Sequence, residues 1–394
     1  MLGFTYYTPT KVAFGKGSVE KVGELMKQFG GTRVLIHYGG QSAVRSGVLD
    51  RVKKSLDEAG IFHVELGGVV PNPHLAKVRE GIELSKANGV DFLLAVGGGS
   101  VIDSCKAIAY GLAEPEHDVW ELYAGQRKAK ACFPVASVLT IAAAGSEMSN
   151  SCVITNTDTE EKRAYNDDLA RPKFAIMDPE LTMTLPDYQT ACGCTDILMH
   201  TMERYFTQGD SLEITDSIAE GLLRTVMAQA VILRDDPKNY NARAEVMWAG
   251  SLSHNGLTGC GHSESDFASH RLEHELGGMF NVAHGAGLAA VWGSWARYVY
   301  KNCLPRFVRF ARNVMGVEAG LSDEETALRG IESMEDFFRS IHMPTSLSEL
   351  GVHPTETQLC ELARKCKIAV GGLLGSAKRL DESDMLAIYK MANH

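Results

Sequence analysis

Apolar positions in the first half of the chain fall in short unbroken runs, RVLIHY, DFLLAVGGG, CFPVASVLT and KFAIMD. Between them lie stretches with helical spacing, GSVEKVGELMKQFG, SAVRSGVLDRVKKSLDEAG and HLAKVREGIELSKANG. A run such as LLAV, without polar alternation, belongs to a parallel strand covered on both faces. FHVELGGV reads as a further strand, and FTYYTPTKVAF as a strand pair or extended arm with Pro9 at an edge or turn. Strands alternating with helices predict a doubly wound α/β domain. The pattern changes near Asp178-Pro179, and from Pro186 onward helical periodicity dominates, as in GCTDILMHTMERYF and SHRLEHELGGMF. The expected architecture is an N-terminal α/β doubly wound parallel-sheet domain over residues 1–181. An all-α C-terminal domain follows over residues 182–394.

Composition narrows the function. A chain of 394 residues, 45% hydrophobic and 22% charged, has ample apolar content for two cores. A net charge of -10 argues against nucleic acid or an anionic membrane as partner, since both call for a basic face. No apolar run approaches the roughly 18 residues a membrane span needs, and the N-terminal MLGFTYYTPTKVAFGKGS lacks a signal-peptide pattern. Nine scattered cysteines suit reduced thiols in a cytoplasm.

Two turns carry candidate chemistry. In DFLLAVGGGSVIDSCKAIA, glycines 97, 98 and 99 stand between a strand and a helix. Ser100 is placed to cap that helix, and Asp103 completes an S-x-x-D capping box. Glycines there either form a tight turn or let a phosphate approach the helix N-terminus without meeting a Cβ. RVLIHYGGQSAVRSG repeats the arrangement at Gly39, Gly40, Gln41 and Ser42. Two such turns in one α/β domain suit a ligand with a ribose-phosphate end and a pyrophosphate, although neither matches G-x-G-x-x-G. In the second half, Asp196 and His200 share a helical face, and His270, His274 and His284 follow. A carboxylate and several imidazoles in one domain form a reasonable donor set for a divalent ion. Single histidines on helices are more often simple polar groups. Cys192 and Cys194 compete as ligands but read better as small buried hydrophobes. His254 and His262 read as surface or supporting groups in a glycine-rich, loop-like segment.

Taken in order, GGGSVID, TIAAAGSEMS, Asp196-x-x-x-His200, His270-x-x-x-His274 and HGAGLA resemble the iron-containing (group III) alcohol dehydrogenases. The likeness is closest to the NADPH-dependent butanol dehydrogenases and aldehyde reductases of that family, and it spans nearly the whole chain. The resemblance implies that Asp196, His200, His270 and His284 hold one divalent metal across a cleft from the cofactor. Fe(II) suits a donor set without thiolate, and Zn(II) competes for it. His274 takes the place of the unligated histidine that relays a proton. Gly97, Gly98, Gly99, Ser100 and Asp103 match the pyrophosphate loop, Thr140 and Ser146 a segment beside the nicotinamide, and Lys162 a basic contact near the cofactor. Ala144 stands where the family commonly has threonine, which removes one cofactor hydrogen bond.

The expected activity is hydride transfer between NADP(H) and a primary alcohol or aldehyde by a cytoplasmic enzyme. The metal would act as a Lewis acid on the aldehyde oxygen. NADP(H) is expected because Gly39 stands where NAD-binding folds place a carboxylate against the ribose hydroxyls. Arg45 either adds charge there or is solvated surface. The alternatives are a dehydroquinate synthase-like lyase, disfavoured because it needs several Lys or Arg for a phosphorylated acid and chiefly Arg271 lies near the metal motifs, and a non-catalytic nucleotide-binding protein. A homodimer is expected, with the N-terminal arm adding a strand to a partner's sheet.

Overall fold

The computed structural model describes residues 1–394. They divide into two compact units, residues 7–185 with 238–251, and residues 1–6 with 186–237 and 252–394. The first unit runs β1 (Lys11–Phe14), α1 (Val22–Gln28), β2 (Arg33–Tyr38), α2 (Gln41–Arg45), α3 (Val48–Glu58), β3 (Phe62–Leu66) and α4 (Leu75–Asn88). It continues with β4 (Phe92–Gly97), α5 (Gly99–Ala113), α6 (Trp120–Tyr123), β5 (Val135–Leu139), β6 (Ser151–Asn156), β7 (Glu161–Asn166) and β8 (Phe174–Met177). Six strands form one sheet in the order β1-β8-β5-β4-β2-β3. Every neighbouring pair in it is parallel.

The unbroken apolar runs have the expected cause. Val34 and Ile36 of β2, with Phe92, Leu94 and Val96 of β4, enter the core on one face of the sheet. Leu35, Leu93 and Ala95 enter a separate core on the other face. Each fully buried Val, Leu or Ile contributes about 1.5–3 kcal/mol of transfer free energy, so both faces are covered. His37 continues the Leu35 side as a buried polar exception. Its Nδ1 lies 2.9 Å from the Leu66 carbonyl and its Nε2 2.8 Å from Ser104 Oγ, joining β2 to β3 and α5. Since only N–H can donate to a carbonyl, Nδ1 carries the proton and Nε2 accepts from Ser104.

β6 and β7 form a separate antiparallel pair, which the apolar pattern does not announce. β1 is only Lys11–Phe14, and residues 1–10 have no regular structure.

The helical unit is built from α7 (Asp187–Tyr205), α8 (Glu213–Asp235), the end of α9 (Tyr240–His254), α10 (Ala268–Phe280), α11 (His284–Val299) and α12 (Leu304–Asn313). α13 (Asp323–Ser340), α14 (Glu356–Val370) and α15 (Glu382–Ala392) complete it. α11 is its buried axis, packed against α7, α10, α13 and α15. Its first turn approaches α7 so closely that a Cβ on Gly285 would lie 2.2 Å from the Cys192 carbonyl oxygen. Any side chain at 285 would push the N-terminus of α11, and His284 with it, away from α7. On α8, Asp216 accepts from both Arg306 Nη1 (2.6 Å) and Nη2 (2.8 Å). His262 Nε2 lies 2.9 Å from Asp216. Of the two readings left open for His262, surface or supporting group, the surface one fails: it is part of a buried cluster with Asp216 and Arg306.

Candidate metal centre and dinucleotide turns

α7 turns Asp196 and His200 to one side, α10 supplies His270, and α11 supplies His284 as its first residue. Their donor atoms meet at a point. Asp196 Oδ1 lies 3.3 Å from His200 Nδ1, 3.5 Å from His270 Nε2 and 3.6 Å from His284 Nε2. Ligand atoms each bound to one ion at about 2.0–2.2 Å stand at such separations from one another. Asp196 Oδ1, His200 Nδ1 and His270 Nε2 are buried and make no hydrogen bond. Buried polar atoms are otherwise paired as a rule, and leaving one unmade costs about 1–3 kcal/mol. Three such atoms aimed at one point fit a cation, and the one-carboxylate, three-imidazole set lacks the thiolates of a structural zinc site.

The charges of Asp196, His200 and His270 depend strongly on one another. Burial works against the Asp196 charge, but His200, His284 and His270 outweigh it and hold its carboxyl far below the usual range. Burial keeps His200 well below its ordinary value against the pull of Asp196. Burial also opposes a charge on His270, yet Glu203 and Asp196 overcome it and raise that imidazole to about 9.

His274 stands one helical turn beyond His270, buried, with its ring 6.5 Å from His270 and 5.9 Å from His284. The ligand atoms that all lie within 4.8 Å of one another are those of Asp196, His270 and His284. His200 joins them through Asp196 Oδ1, and His274 is placed beside them by its ring distances.

Two supporting carboxylates escaped the sequence reading. Glu203 accepts the backbone N–H of His270 at 3.0 Å and pairs with its Nδ1. Glu273 pairs in the same way with Nδ1 of His284. A carboxylate on Nδ1 selects the tautomer that presents Nε2 to a metal and makes the ligand more basic. The available signal was a Glu inside an otherwise buried helix stretch, since α7 is buried from Gly193 through Tyr205. His254 also departs from its loop reading. It ends α9, its ring centroid lies 3.9 Å from that of His200 with the planes tilted by 42°, and its Nδ1 lies 3.0 Å from Arg204 Nη2. Arginine only donates, so His254 Nδ1 is an acceptor. Phe267 takes a left-handed backbone (φ 51°), strained for an aromatic residue. Its ring lies under the Arg204 guanidinium at 4.9 Å and 5.4 Å from His270.

The cofactor candidates all lie in the sheet-bearing unit. Gly97 ends β4, Gly98 precedes α5, and Gly99 and Ser100 begin it. The capping box is absent: no side chain caps this helix, and Ser100 lies within its first turn. Asp103 is engaged elsewhere, accepting from Ser146 Oγ at 2.6 Å and the Val153 N–H at 2.9 Å. A helix of this length with an uncapped, partly exposed start is suited to an anion. The glycines also serve packing. A Cβ on Gly98 would lie 2.9 Å from Ile141, and one on Gly99 would lie 3.0 Å from Ala144.

Gly39 and Gly40 leave β2, and Gln41 and Ser42 begin α2. A Cβ on Gly40 would meet nothing within 4 Å. Thr140 follows β5 and donates its backbone N–H to Gly97 O at 3.0 Å. Lys162 is a buried residue of β7.

Comparison with known proteins gives a consistent answer. The profile of the family described as "Iron-containing alcohol dehydrogenase" matches residues 9–179, and that of its C-terminal domain matches residues 190–393. The chain is 40% identical to NADH-dependent butanol dehydrogenase A of Clostridium acetobutylicum over 391 residues, 99% of either chain. It is 37% identical to the NADPH-dependent aldehyde reductase YqhD of Escherichia coli, over 89% of this chain and 90% of that one. The crystal structure of butanol dehydrogenase A from Thermotoga maritima superposes with a TM-score of 0.96 at 39% identity, covering 100% of this chain and 99% of that one. A family match over both halves, with a donor cluster built for one cation, speaks against the lyase and the non-catalytic alternatives. The chain therefore belongs to the iron-containing alcohol dehydrogenases and is a metal-dependent oxidoreductase of alcohols and aldehydes.

Proposed function

We propose that this protein interconverts small aldehydes and primary alcohols with NADP(H), one divalent ion being held by Asp196, His200, His270 and His284. The observation that carries this reading is the convergence of unpaired Asp196 Oδ1, His200 Nδ1 and His270 Nε2 within 3.3–3.5 Å. When bound, the ion supplies a Lewis acid for the carbonyl oxygen, and the nicotinamide supplies the hydride. Glu203 and Glu273 fix the imidazoles of His270 and His284. His274 stands beside the cluster and is assigned the transfer of a proton to or from the substrate oxygen. Fe(II) is the preferred ion for this donor set, with Zn(II) the competitor.

Relatives are named for both cofactors, so the choice of NADP(H) rests on this chain's own residues. Gly39, Gly40, Gln41 and Ser42 offer no carboxylate to repel a 2′-phosphate. Gly97 to Ser100 are assigned to the diphosphate, Thr140 and Ser146 to the nicotinamide side, and Lys162 to a basic contact near the cofactor. Asp103 acts by holding Ser146. A homodimer belongs to the same reading. Met1, Leu2, Phe4 and Tyr7 are apolar and exposed in the arm before edge strand β1, and light scattering in solution tests whether a second copy covers them. No helix is long and apolar enough to cross a membrane. All nine cysteines are free thiols, and a cytoplasmic location belongs to the same reading.

The test is a kinetic panel of straight-chain aldehydes with NADPH and NADH, run on protein loaded with Fe(II), with Zn(II) or with no metal. Metal-dependent oxidation of NADPH is the expected result. Equal turnover by metal-free protein would overturn the reading.

A further inference from the structure

Lys106 is a fully buried cation that the sequence reading passed over. It lies on α5, and its Nζ reaches four oxygens of one segment. These are Ser146 O at 2.7 Å, Ser146 Oγ at 2.9 Å, Ser149 O at 3.0 Å and Ser151 O at 2.9 Å. Residues 141–150 have no helix or strand, yet residues 145–149 are buried. Buried irregular backbone must find donors outside itself, and one ammonium supplies three. Arg171 Nη1 donates to Met148 O at 2.8 Å, and Glu147 accepts from Ser251 Oγ at 2.5 Å. Asp103, one turn before Lys106, accepts a hydrogen bond from the Ser146 hydroxyl at 2.6 Å. The segment is thus bolted to α5 at several points.

What the bolts hold in place is the first part of the segment. Ile141 packs on Gly98 and Ala144 on Gly99, close enough that neither glycine has room for a Cβ. Residues 141–144 stay partly exposed beside the uncapped start of α5.

We infer that Lys106 is a positioning residue for the dinucleotide: it fixes residues 141–151 to α5 so that Ile141–Ala144 stand over the Gly98–Gly99 turn and set the diphosphate and nicotinamide half of the cofactor. The inference rests on reading that turn as part of the dinucleotide site. Lys106 has no hydrogen bond to the Gly39–Ser42 turn, so the adenosine end is independent of it.

The experiment measures binding to wild type, Lys106→Met and Lys106→Gln. The ligands are whichever of NADPH and NADH wild type binds more tightly, and the matching fragment without a 5′-phosphate, adenosine 2′-monophosphate or adenosine. Lys106→Met is expected to weaken the whole cofactor at least tenfold and leave the fragment within twofold. Lys106→Gln, which keeps two N–H donors, recovers part of the loss and replaces the methionine variant if that one fails to fold. In wild type, hydrogen exchange at residues 141–144 slows with the whole cofactor and not with the fragment. Unchanged cofactor affinity in a folded variant overturns the proposal. Equal weakening of cofactor and fragment also overturns it, since that is general loosening of the domain. A wild type that binds neither ligand removes the underlying dinucleotide reading instead.

Discussion

Glu203 grips His270 at two points: it accepts the residue's backbone N–H at 3.0 Å and pairs with its imidazole Nδ1. The grip fixes both the start of α10 and the direction of Nε2, which faces Asp196 Oδ1 at 3.5 Å. Glu203→Gln keeps an acceptor but loses the charge, and should lower metal affinity by about 10–100-fold. Metal content after dialysis against a graded chelator series measures this. Affinity within twofold of wild type would show that the carboxylate does not support the ligand.

His270 and His274 differ by one helical turn and should differ in kind. His270→Ala removes a ligand and should lose both metal and turnover. His274→Ala should retain stoichiometric metal while slowing turnover and altering its pH profile. Elemental analysis of the two proteins decides the contrast, and full metal in His270→Ala with normal activity defeats the assignment.

Gly39 should be the position that admits a 2′-phosphate. An added Cβ would lie 3.4 Å from Val69 O and 3.8 Å from Val101, so an aspartate fits with small adjustment. At about 4 Å a like-charge pair costs on the order of 4 kcal/mol at an effective dielectric near 20. Wild type is expected to prefer NADPH by at least about tenfold in kcat/KM, roughly 1.4 kcal/mol. Gly39→Asp should shrink or invert that ratio by penalising NADPH alone. An unchanged ratio would mean that this turn does not read the phosphate.

His37 should make the sheet-bearing unit acid-sensitive. Burial drives its pKa down from 6.5 to about 4, with the Leu66 carbonyl opposing. Between those values the unfolded chain binds a proton that the folded one does not. Stability is therefore fully present above about pH 6.5 and declines as the pH falls toward 4, by on the order of 3 kcal/mol. Denaturant melts of wild type and His37→Gln across this window isolate the term. Wild type should lose stability relative to His37→Gln on acidification, whatever their stabilities at neutral pH, and a constant difference would rule the mechanism out.

Much of this protein is local and so was legible along the chain. Unbroken runs such as LLAV required strands covered on both faces, because each side chain of β4 enters a core on one side or the other. Asp196 and His200 are one helical turn apart, so their shared face follows from the period alone. The turns at Gly39 and Gly98 stand where strand pattern gives way to helix pattern.

What packing decides was not legible. Glu203 lies 67 residues from His270, and Lys106 lies 40 or more from the oxygens it binds. No local periodicity pairs residues at such separations. The polar hairpin of β6 and β7 carries no apolar run to announce it. At Ser100 the capping signal failed because Asp103 gains more from Ser146 and Val153, partners that exist only once residues 146–153 have folded onto α5. Even the proposed metal ligands are scattered positions along the chain, and it is the close approach at Gly285 that brings α11, and His284 with it, against α7. Donor atoms become a site when backbones from three helices bring the imidazole nitrogens within 3.6 Å of Asp196 Oδ1, and that distance is set by packing, not by spacing along the chain.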